Sequence, residues 1–436
     1  MKKTVNHILA AGLLALLSLA SCTDEFIEGN DLQGVDRDKR VEVRLPFGVG
    51  RGITTTITTR AAGGEIDYDS QLSGVMAFVY EAKSDNPEEN ELLAYHLFSN
   101  PSNKPLEGAT GGWIADNDDP TCGEIKFYVP VGDVYIYLLG NAQSSFLNFF
   151  PGVSGGDALG TQAEFFEKAT PKWNGNIHSV DGYLPLTGMV NNNTGLCHVN
   201  EQGQISYTDE EGKTHTLLPD GKHDEDNSFV LKRLMSKITM NIREGKGVKF
   251  TARDYTVRHI PHYVSPTAQA WTEEERDRIL VEDAKPVNFG LLDSLTFTIY
   301  LPENIRKVRS GVEITEYRQR DKVVKTADNK NTEETAPDDF HADNADNHKG
   351  HYKFEFAPKA STYIELTGWF ENADKTVAAD VRYYIHLGNF GKDLNHFSVE
   401  RDHHYTYNVT INGVDDIVVE VEDENEKTPG AEGVVF

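Results

Sequence analysis

Cysteine, basic residues and long apolar runs are all scarce in this chain of 436 residues. Only three cysteines are present, so the fold cannot depend on a framework of several disulfides. Lysine and arginine number 42 against 69 acidic residues, and the formal charge of −27 argues against a surface that binds phosphate backbones. Beyond residue 21, no apolar run approaches the roughly 20 residues of a membrane-spanning helix. We therefore expect no nucleic acid partner and no transmembrane segment in the remainder of the chain.

The first 21 residues have the layout of a bacterial signal peptide. Lys2 and Lys3 precede the apolar stretch 8–19, which is too short to span a membrane. The stretch ends in Leu19-Ala20-Ser21-Cys22, which resembles a lipobox, where the cysteine thiol accepts diacylglycerol. Several acyl chains on one cysteine make a lasting anchor. We therefore predict lipidation at Cys22 and a precursor that is held to the outer membrane through its lipid.

Alternation of apolar and polar residues dominates the rest of the chain. A period of two means one buried face and one wet face, as in antiparallel sheets. Strands are predicted in segments 41–45, 75–80, 124–129, 134–139, 238–242, 295–301, 381–387 and 405–411. Short helices are predicted only at 161–169 and 271–281. Many short strands joined by glycine and proline turns predict an all-β fold built from β-sandwiches.

Polar segments indicate how the chain is divided. The predicted division is signal peptide 1–21, tether 22–39, N-terminal β-sandwich domain 40–246, C-terminal β-sandwich domain 247–424 and tail 425–436. The strand through Ile242 is expected to close the first domain, and the second is expected to start near Gly247. Residues 200–228 are polar and are interpreted as a loop or an insertion, and the polar segment 326–350 is interpreted as an insertion.

Two patterns that could carry chemistry lack the context that such chemistry needs. The run 152–156 fits the G-x-S-x-G motif around Ser154, but Pro151 breaks the preceding strand and no helix follows. His341, His348 and His351 lie among acidic residues, but their spacing fits neither a zinc site nor an EF-hand. We therefore expect no catalytic residues, no metal and no cofactor.

Cys122 and Cys197 remain once Cys22 is lipidated. In an oxidising compartment they could form a disulfide, which would stabilise the fold by roughly 4 kcal/mol. Two separate buried thiols are the alternative, because sequence alone does not place the two Cα atoms.

Four segments together resemble the fimbrillin family of Bacteroidota pilus subunits. Leu184-Pro185-Leu186-Thr187-Gly188-Met189 is similar to the family's P-x-T-G segment. The segment 231–238 is similar to its Arg-x-x-Ala-Lys-Ile strand, with Ser236 in place of alanine. Segments 300–304 and 399–407 resemble a family turn and the final strand, the latter with Asp402 where asparagine is usual. The resemblance implies two tandem transthyretin-like antiparallel β-sandwich domains.

The resemblance also implies assembly with other pilus subunits by donor-strand exchange. A protease of trypsin-like specificity cuts after an arginine, the first strand leaves, and a strand from a neighbouring subunit fills the groove. Here 40–47 matches the removable strand. Arg60 and Arg51 are the candidate processing sites, with Arg60 first because small residues flank it. Val418 and its neighbours are candidates for the donated strand.

The sequence leaves two functions open. The first is a structural or adhesive subunit of a cell-surface fimbrium. The second is a surface-anchored lipoprotein that binds glycans, because tryptophans can stack on sugar rings, although aromatic residues also fill β-sandwich cores. The tryptophans in question are Trp113, Trp173, Trp271 and Trp369. The mature N-terminus separates the two functions: it follows Arg51 or Arg60 in a polymerised subunit and is the lipidated Cys22 in an anchored binder.

Overall fold

The fold is known from a computed structural model. It describes residues 39–49, 72–102, 106, 109, 111–115, 122–142, 147–148, 160–168, 172–178, 183–189, 195–209, 211–218, 228–266, 281–291, 295–306, 308, 311–325, 352–391 and 393–423. Of the described residues, 55% lie in strands and 4% in helices, which confirms the all-β class. Each of the eight segments predicted as strands coincides with a strand of the structure.

The strands of the N-terminal half are β1 (Arg40–Val49), β2 (Gly74–Glu81), β3 (Leu92–Ser99), β4 (Trp113–Ala115), β5 (Cys122–Pro130), β6 (Gly132–Gly140), β7 (Leu147–Asn148), β8 (Lys172–Trp173), β9 (Leu186–Gly188), β10 (Leu196–Val199), β11 (Ile205–Thr208), β12 (Thr214–Thr216) and β13 (Phe229–Arg233). Helix α1 (Gln162–Lys168) lies between β7 and β8, within the predicted helical segment.

The remaining strands are β14 (Met235–Glu244), β15 (Val248–Arg258), β16 (Ile260–Pro261), β17 (Val281–Glu282), β18 (Val287–Asn288), β19 (Thr296–Pro302), β20 (Val323–Lys325), β21 (Tyr352–Phe354), β22 (Tyr363–Asn372), β23 (Ala378–His386), β24 (His404–Ile411) and β25 (Ile417–Asp423). A 3₁₀ turn covers Phe289–Leu291, and helix α2 covers Tyr317–Arg320. None of the helices in the described parts of the chain is both long and apolar enough to span a membrane.

Eleven of the thirteen strands of the N-terminal half form one sheet that folds over its own core, whereas β7 and β8 form a separate pair. The order of this sheet is β12-β11-β10-β6-β9-β13-β1-β5-β4, and the hairpin β2–β3 attaches to the second edge of β6. Inward side chains of β1 and β5 share one hydrophobic cluster with those of β2 and β6. The two halves of the curved sheet therefore face each other across this core, as in a β-sandwich.

The C-terminal half is a sandwich of two four-stranded sheets. The sheet β19-β14-β24-β25 packs on the sheet β18-β15-β22-β23, and one hydrophobic cluster lies between them. Among the described strands, two pairings are parallel, β1 with β13 and β14 with β24, whereas the other strand pairs are antiparallel. The predicted antiparallel architecture therefore holds except at these two pairs.

The single residue Leu234 separates β13, in the sheet of the first sandwich, from β14, in a sheet of the second. Strand β14 contributes Ile238 and Met240 to the C-terminal core, because it pairs with β19 and β24. The expected boundary near Gly247 thus falls between β14 and β15, inside the second sandwich. The alternation of apolar and polar residues correctly predicts the strand through Ile242, but it does not indicate the sheet to which this strand belongs.

A buried ion pair joins the two sandwiches at this change. The Nη1 group of Arg233, which ends β13, donates to Oδ1 of Asp402 at 2.8 Å, and the Arg233 backbone N–H donates to the same oxygen at 3.2 Å. Both residues are buried. Burial raises the pKa of Asp402, although the charge of Arg233 opposes that rise. Asp402 also has a positive φ of 61°, a conformation that asparagine and aspartate adopt more readily than most residues.

One polar segment differs from its interpretation as a loop or an insertion, and two other predicted segments lie largely outside the described residues. Strands β11 and β12 lie within 200–228, because Ile205, Tyr207 and Leu217 anchor this hairpin on the N-terminal core. At the end of the predicted helix 271–281, Val281 begins β17, while residues 271–280 lie outside the described residues. The segment 326–350 also lies outside them, and the strands on either side of it, β20 and β21, pair with each other.

Candidate functional site: the groove that holds strand β1

Strand β1 is an interior strand of the eleven-stranded sheet. Residues 40–48 run antiparallel to β5, with Arg40 opposite Pro130 and Gly48 opposite Cys122. On the other edge, Phe47–Val49 run parallel to the start of β13. We call the space between β5 and β13 the β1 groove. A strand in this position is held by main-chain hydrogen bonds to segments that are distant in sequence.

The inner face of β1 fills the core of the first sandwich. Val43, Leu45 and Phe47 have no exposed surface. Phe47 lies opposite Gly123, where an added Cβ atom would stand only 3.1 Å from the end of the Phe47 ring. Trp113 meets the Phe47 ring edge-on, with 4.9 Å between ring centroids. Gly123 and Trp113 thus form a pocket that is shaped for an aromatic side chain.

The outer face of β1 carries an ion pair with β5. The Nε group of Arg44 donates to Oε2 of Glu124 at 2.8 Å, and its Nη2 group lies 2.5 Å from the same oxygen. Glu124 is opposite Pro46 in the ladder, so Arg44 reaches it along the diagonal between the strands. The Glu124 side chain is only 7% exposed, whereas that of Arg44 is 33% exposed. Burial of this kind makes the contact stronger than a surface ion pair.

The turn between β10 and β11 contacts the beginning of β1. Gly203 has φ +76°, and an added Cβ atom would stand 2.1 Å from the carbonyl oxygen of Glu42. The Lys39 ammonium group donates to the carboxylate of Glu201 in the same turn, and this hydrogen bond lowers the pKa of that carboxyl group. The turn therefore lies against the strand that is predicted to leave.

The contact between this turn and β1 can be tested with two matched glycines. We expect Gly203→Ala to destabilise the protein by more than Gly212→Ala. Both residues have positive φ, at +76° and +80°, so alanine costs about 1–2 kcal/mol in either turn. Gly212 has no atom within 4 Å of its added Cβ, whereas Gly203 would clash with the backbone of β1. Urea unfolding of both variants gives the comparison, and equal losses would show that the turn does not depend on β1.

Several residues that the sequence singled out lie outside the described residues. They are Cys22, Arg51, Arg60, Ser154, Trp271, His341, His348 and His351. The lipidation site and both candidate processing sites are thus among them. Among the described residues, no group of three or more histidine, cysteine, aspartate or glutamate side chains is placed to hold a metal ion.

Cys122 and Cys197 are both buried and are not joined by a disulfide. Cys122 begins β5 and lies opposite Gly48, whereas Cys197 lies on β10 opposite Val134. Strands β6, β9, β13 and β1 separate β10 from β5 in the order of the sheet, which explains why the two thiols do not meet. Burial raises the pKa of the Cys197 thiol, which disfavours the reactive thiolate.

The candidate donated strand is β25, which lies at the edge of the C-terminal sheet beside β24. Val419 is buried in the C-terminal core, while Val418 on the opposite face is 47% exposed. Asp423 at the end of β25 accepts hydrogen bonds from the side chains of His403 and Asn389. Strand β25 is therefore engaged in its own sandwich.

The described tryptophans have three different environments. Trp173 is buried in the C-terminal core, which agrees with the interpretation as core residues. Trp113 is half-buried and packs on Phe47. Trp369 on β22 is 42% exposed and is the one described tryptophan that a ligand could reach with a large part of its surface.

The groove contains features that the sequence did not reveal. Glu124 was predicted as part of a strand, but outward positions of a sheet are normally wet, so nothing in the pattern indicated its burial or its bond to Arg44. The Gly203 turn lies in a segment that the sequence alone indicates as a polar loop or insertion. The run Asn200-Glu201-Gln202-Gly203 between apolar residues is a turn signal that could have identified it.

Comparison with known proteins gives a partial family match and several structural neighbours of one class. A family model described as Domain of unknown function (DUF4906) matches residues 299–409. No curated protein matches the chain. The structural neighbours are fimbrial and candidate cell adhesion proteins, the class of protein to which the sequence resemblance points.

One neighbour is the tip fimbrial protein Mfa3 from Porphyromonas gingivalis, with 13% identity, a TM-score of 0.44 and coverage of 88% of this chain and 99% of that one. A candidate cell adhesion protein from Parabacteroides distasonis has 10% identity, a TM-score of 0.47 and coverage of 88% and 98%. Another from Bacteroides eggerthii has 11% identity, a TM-score of 0.39 and coverage of 91% and 97%. At these values the likeness alone carries no conclusion about function.

Proposed function

We propose that this protein is a structural or adhesive subunit of a cell-surface fimbrium and joins other pilus subunits by protease-triggered donor-strand exchange. The observation that carries the proposal is the position of β1. The first strand that the structure describes lies in the interior of a sheet and supplies three fully buried side chains to its core.

The geometry of β1 supports both its stability before cleavage and its replacement afterwards. Burial of Val43, Leu45 and Phe47 is worth roughly 1.5–3 kcal/mol each, so the uncut chain completes its own fold. Loss of the strand would expose apolar surface together with main-chain donors and acceptors of β5 and β13, which is costly until the groove is refilled. A strand from another subunit can refill it by main-chain pairing, and such head-to-tail contacts need not close into a ring.

The route to the surface is proposed from the amino-terminal sequence. Lipid on Cys22 would anchor the precursor in the outer membrane, and a cut after Arg60 or Arg51 would free the body of the subunit from both the lipid and β1. Both arginines follow β1 directly in sequence, so one cut separates the strand from the rest of the fold.

The amino terminus of surface material tests this route in cells. We expect polymerised protein to begin directly after Arg60 or Arg51 and to lack lipid, as read by N-terminal sequencing and mass spectrometry. Cys22→Ala should remove the protein from the outer-membrane fraction, because only a thiol at that position can accept the diacylglycerol. Surface protein that begins at a lipidated Cys22 would instead support the anchored glycan-binding alternative, for which exposed Trp369 offers a stacking surface.

A further inference from the structure

The ion pair between β1 and β5 constrains which strand can replace β1. Glu124 is held on the outer face of β5 with its side chain only 7% exposed. When β1 leaves, this carboxylate loses its two contacts with Arg44. A replacement strand restores them only if it carries a basic side chain at the position of Arg44.

The pocket for Phe47 adds a second constraint. Gly123 leaves room for the end of the Phe47 ring, and Trp113 packs against that ring. A smaller side chain at this position would leave a cavity, which costs free energy in proportion to its volume. Arg44 and Phe47 are three residues apart and lie on opposite faces of β1. The groove therefore matches a strand with a basic outer residue and an aromatic inner residue at that separation.

Strand β25 of a second copy does not meet the charge constraint. Its inner face in the C-terminal sandwich consists of Ile417, Val419, Val421 and Asp423, and its outer face consists of Val418, Glu420 and Glu422. If the apolar face of β25 enters the core, only valine or glutamate can stand beside Glu124, whichever direction the strand runs. Like charges at neighbouring positions of a sheet are destabilising.

Strand β25 also does not fit the pocket for Phe47, and it is already packed in its own sandwich. It contains no aromatic residue for the pocket of Gly123 and Trp113. Its removal would expose Val419 and break the hydrogen bonds that Asp423 accepts from His403 and Asn389. The chain's own β25 is thus a poor occupant of the β1 groove.

We propose that the β1 groove selects a strand from a different protein chain, with a basic residue against Glu124 and an aromatic residue three positions away against Gly123. The inference rests on the proposed function and specifies the partner. Glu124 is the residue that determines specificity, and it excludes β25 of a second copy. With β25 of a second copy excluded, we expect the occupant to come from another subunit of a heteromeric assembly.

The test is competition for the groove in the full chain after it has been cut behind β1. The probe is a fluorescent peptide with the sequence of β1, 40–49, and its displacement is followed by fluorescence anisotropy. Competitors are the unlabelled β1 peptide, the same peptide with Arg44→Gln or Arg44→Glu, and a peptide of residues 416–423. Hydrogen bonds to charged groups contribute about 1.5–3 kcal/mol, so we expect the Arg44→Glu peptide to compete roughly ten- to hundredfold less well than β1. The Arg44→Gln peptide should be intermediate, and the 416–423 peptide should be the weakest.

A charge exchange provides the control. In a Glu124→Lys protein, the Arg44→Glu peptide should compete better than the natural β1 peptide, which excludes a merely structural effect of Arg44. Equal competition by the natural and Arg44→Glu peptides, or strong competition by the 416–423 peptide, would overturn this inference alone. Failure of the β1 probe itself to enter the cut protein would overturn the proposed function and this inference with it.

Discussion

A cut after Arg51 or Arg60 should convert a protein that retains β1 into one that exchanges it. In the intact chain the tether gives β1 an effective concentration in the millimolar range, so a labelled β1 peptide at micromolar concentration should enter few molecules. After the cut this advantage is lost, and a roughly tenfold excess of labelled peptide should occupy most grooves at equilibrium. Limited trypsin digestion, overnight incubation with the peptide and size-exclusion chromatography measure the exchange.

The matched control is the double variant Arg51→Ala with Arg60→Ala. It should keep the fold, because neither change touches the described core, and it should take up no more labelled peptide than the undigested protein. The single variants show which arginine is cut first, and Arg60 is the expected one. If the digested double variant takes up the labelled peptide while its β1 is still attached, cleavage at these two arginines is not what permits the exchange. A wild-type protein that is cleanly cut and still excludes the peptide would contradict strand exchange.

Loss of Arg233 should be among the most destabilising single changes at the junction of the two sandwiches. Arg233→Met removes the positive charge beside buried Asp402 and should cost about 3–5 kcal/mol. Addition of Asp402→Asn should recover most of this loss, because asparagine carries no charge and tolerates the φ of 61°. Arg253→Met is the control: its ion pair with Asp380 is 58% and 66% exposed and should contribute less than about 1 kcal/mol.

The pH dependence of the Arg233→Met variant tests the same mechanism. Burial already raises the pKa of Asp402 above its unfolded value of 3.8, and removal of Arg233 should raise it further. A group whose pKa is raised on folding stabilises the fold below its unfolded pKa, and this is lost as the pH rises through the folded pKa. The deficit of the variant should therefore shrink as the pH falls towards about 4, as measured by urea unfolding. A deficit that is independent of pH would show that lost packing, not the unpaired charge, causes the destabilisation.

The alternation of the sequence was sufficient to locate β1 but not its neighbours. The spacing of Val43, Leu45 and Phe47 predicts a half-buried strand, and all three side chains lie in the core. Strands β5 and β13, which form its groove, come much later in the chain. A period of two residues shows which face of a strand is buried. It carries no information about which strands lie beside it.

The same limit explains why the sequence alone indicated neither the sheet to which β14 belongs nor the ion pair between Arg44 and Glu124. Ile238 and Met240 alternate correctly for β14, but the same pattern would suit either sandwich, so the sheet to which β14 belongs became clear only from its pairing with β19 and β24. Glu124 lies at an outward position of its strand, where the pattern of the sequence predicts a side chain exposed to solvent. Its role depends on Arg44, which approaches it only after two strands distant in sequence have paired.

The one-residue link at Leu234 has a mechanical consequence. Strand β13 borders the β1 groove, and β14 continues from it beside β24, so the backbone passes almost without interruption from one sandwich to the other. Tension applied by an occupant of the groove would run along β13, through Leu234, into the central strands of the second sandwich. A load along β14 would have to shear many hydrogen bonds at once, whereas a load across the sheet would peel them apart one by one. A fibre assembled through this groove would therefore resist pulling along its length without any covalent link between its subunits.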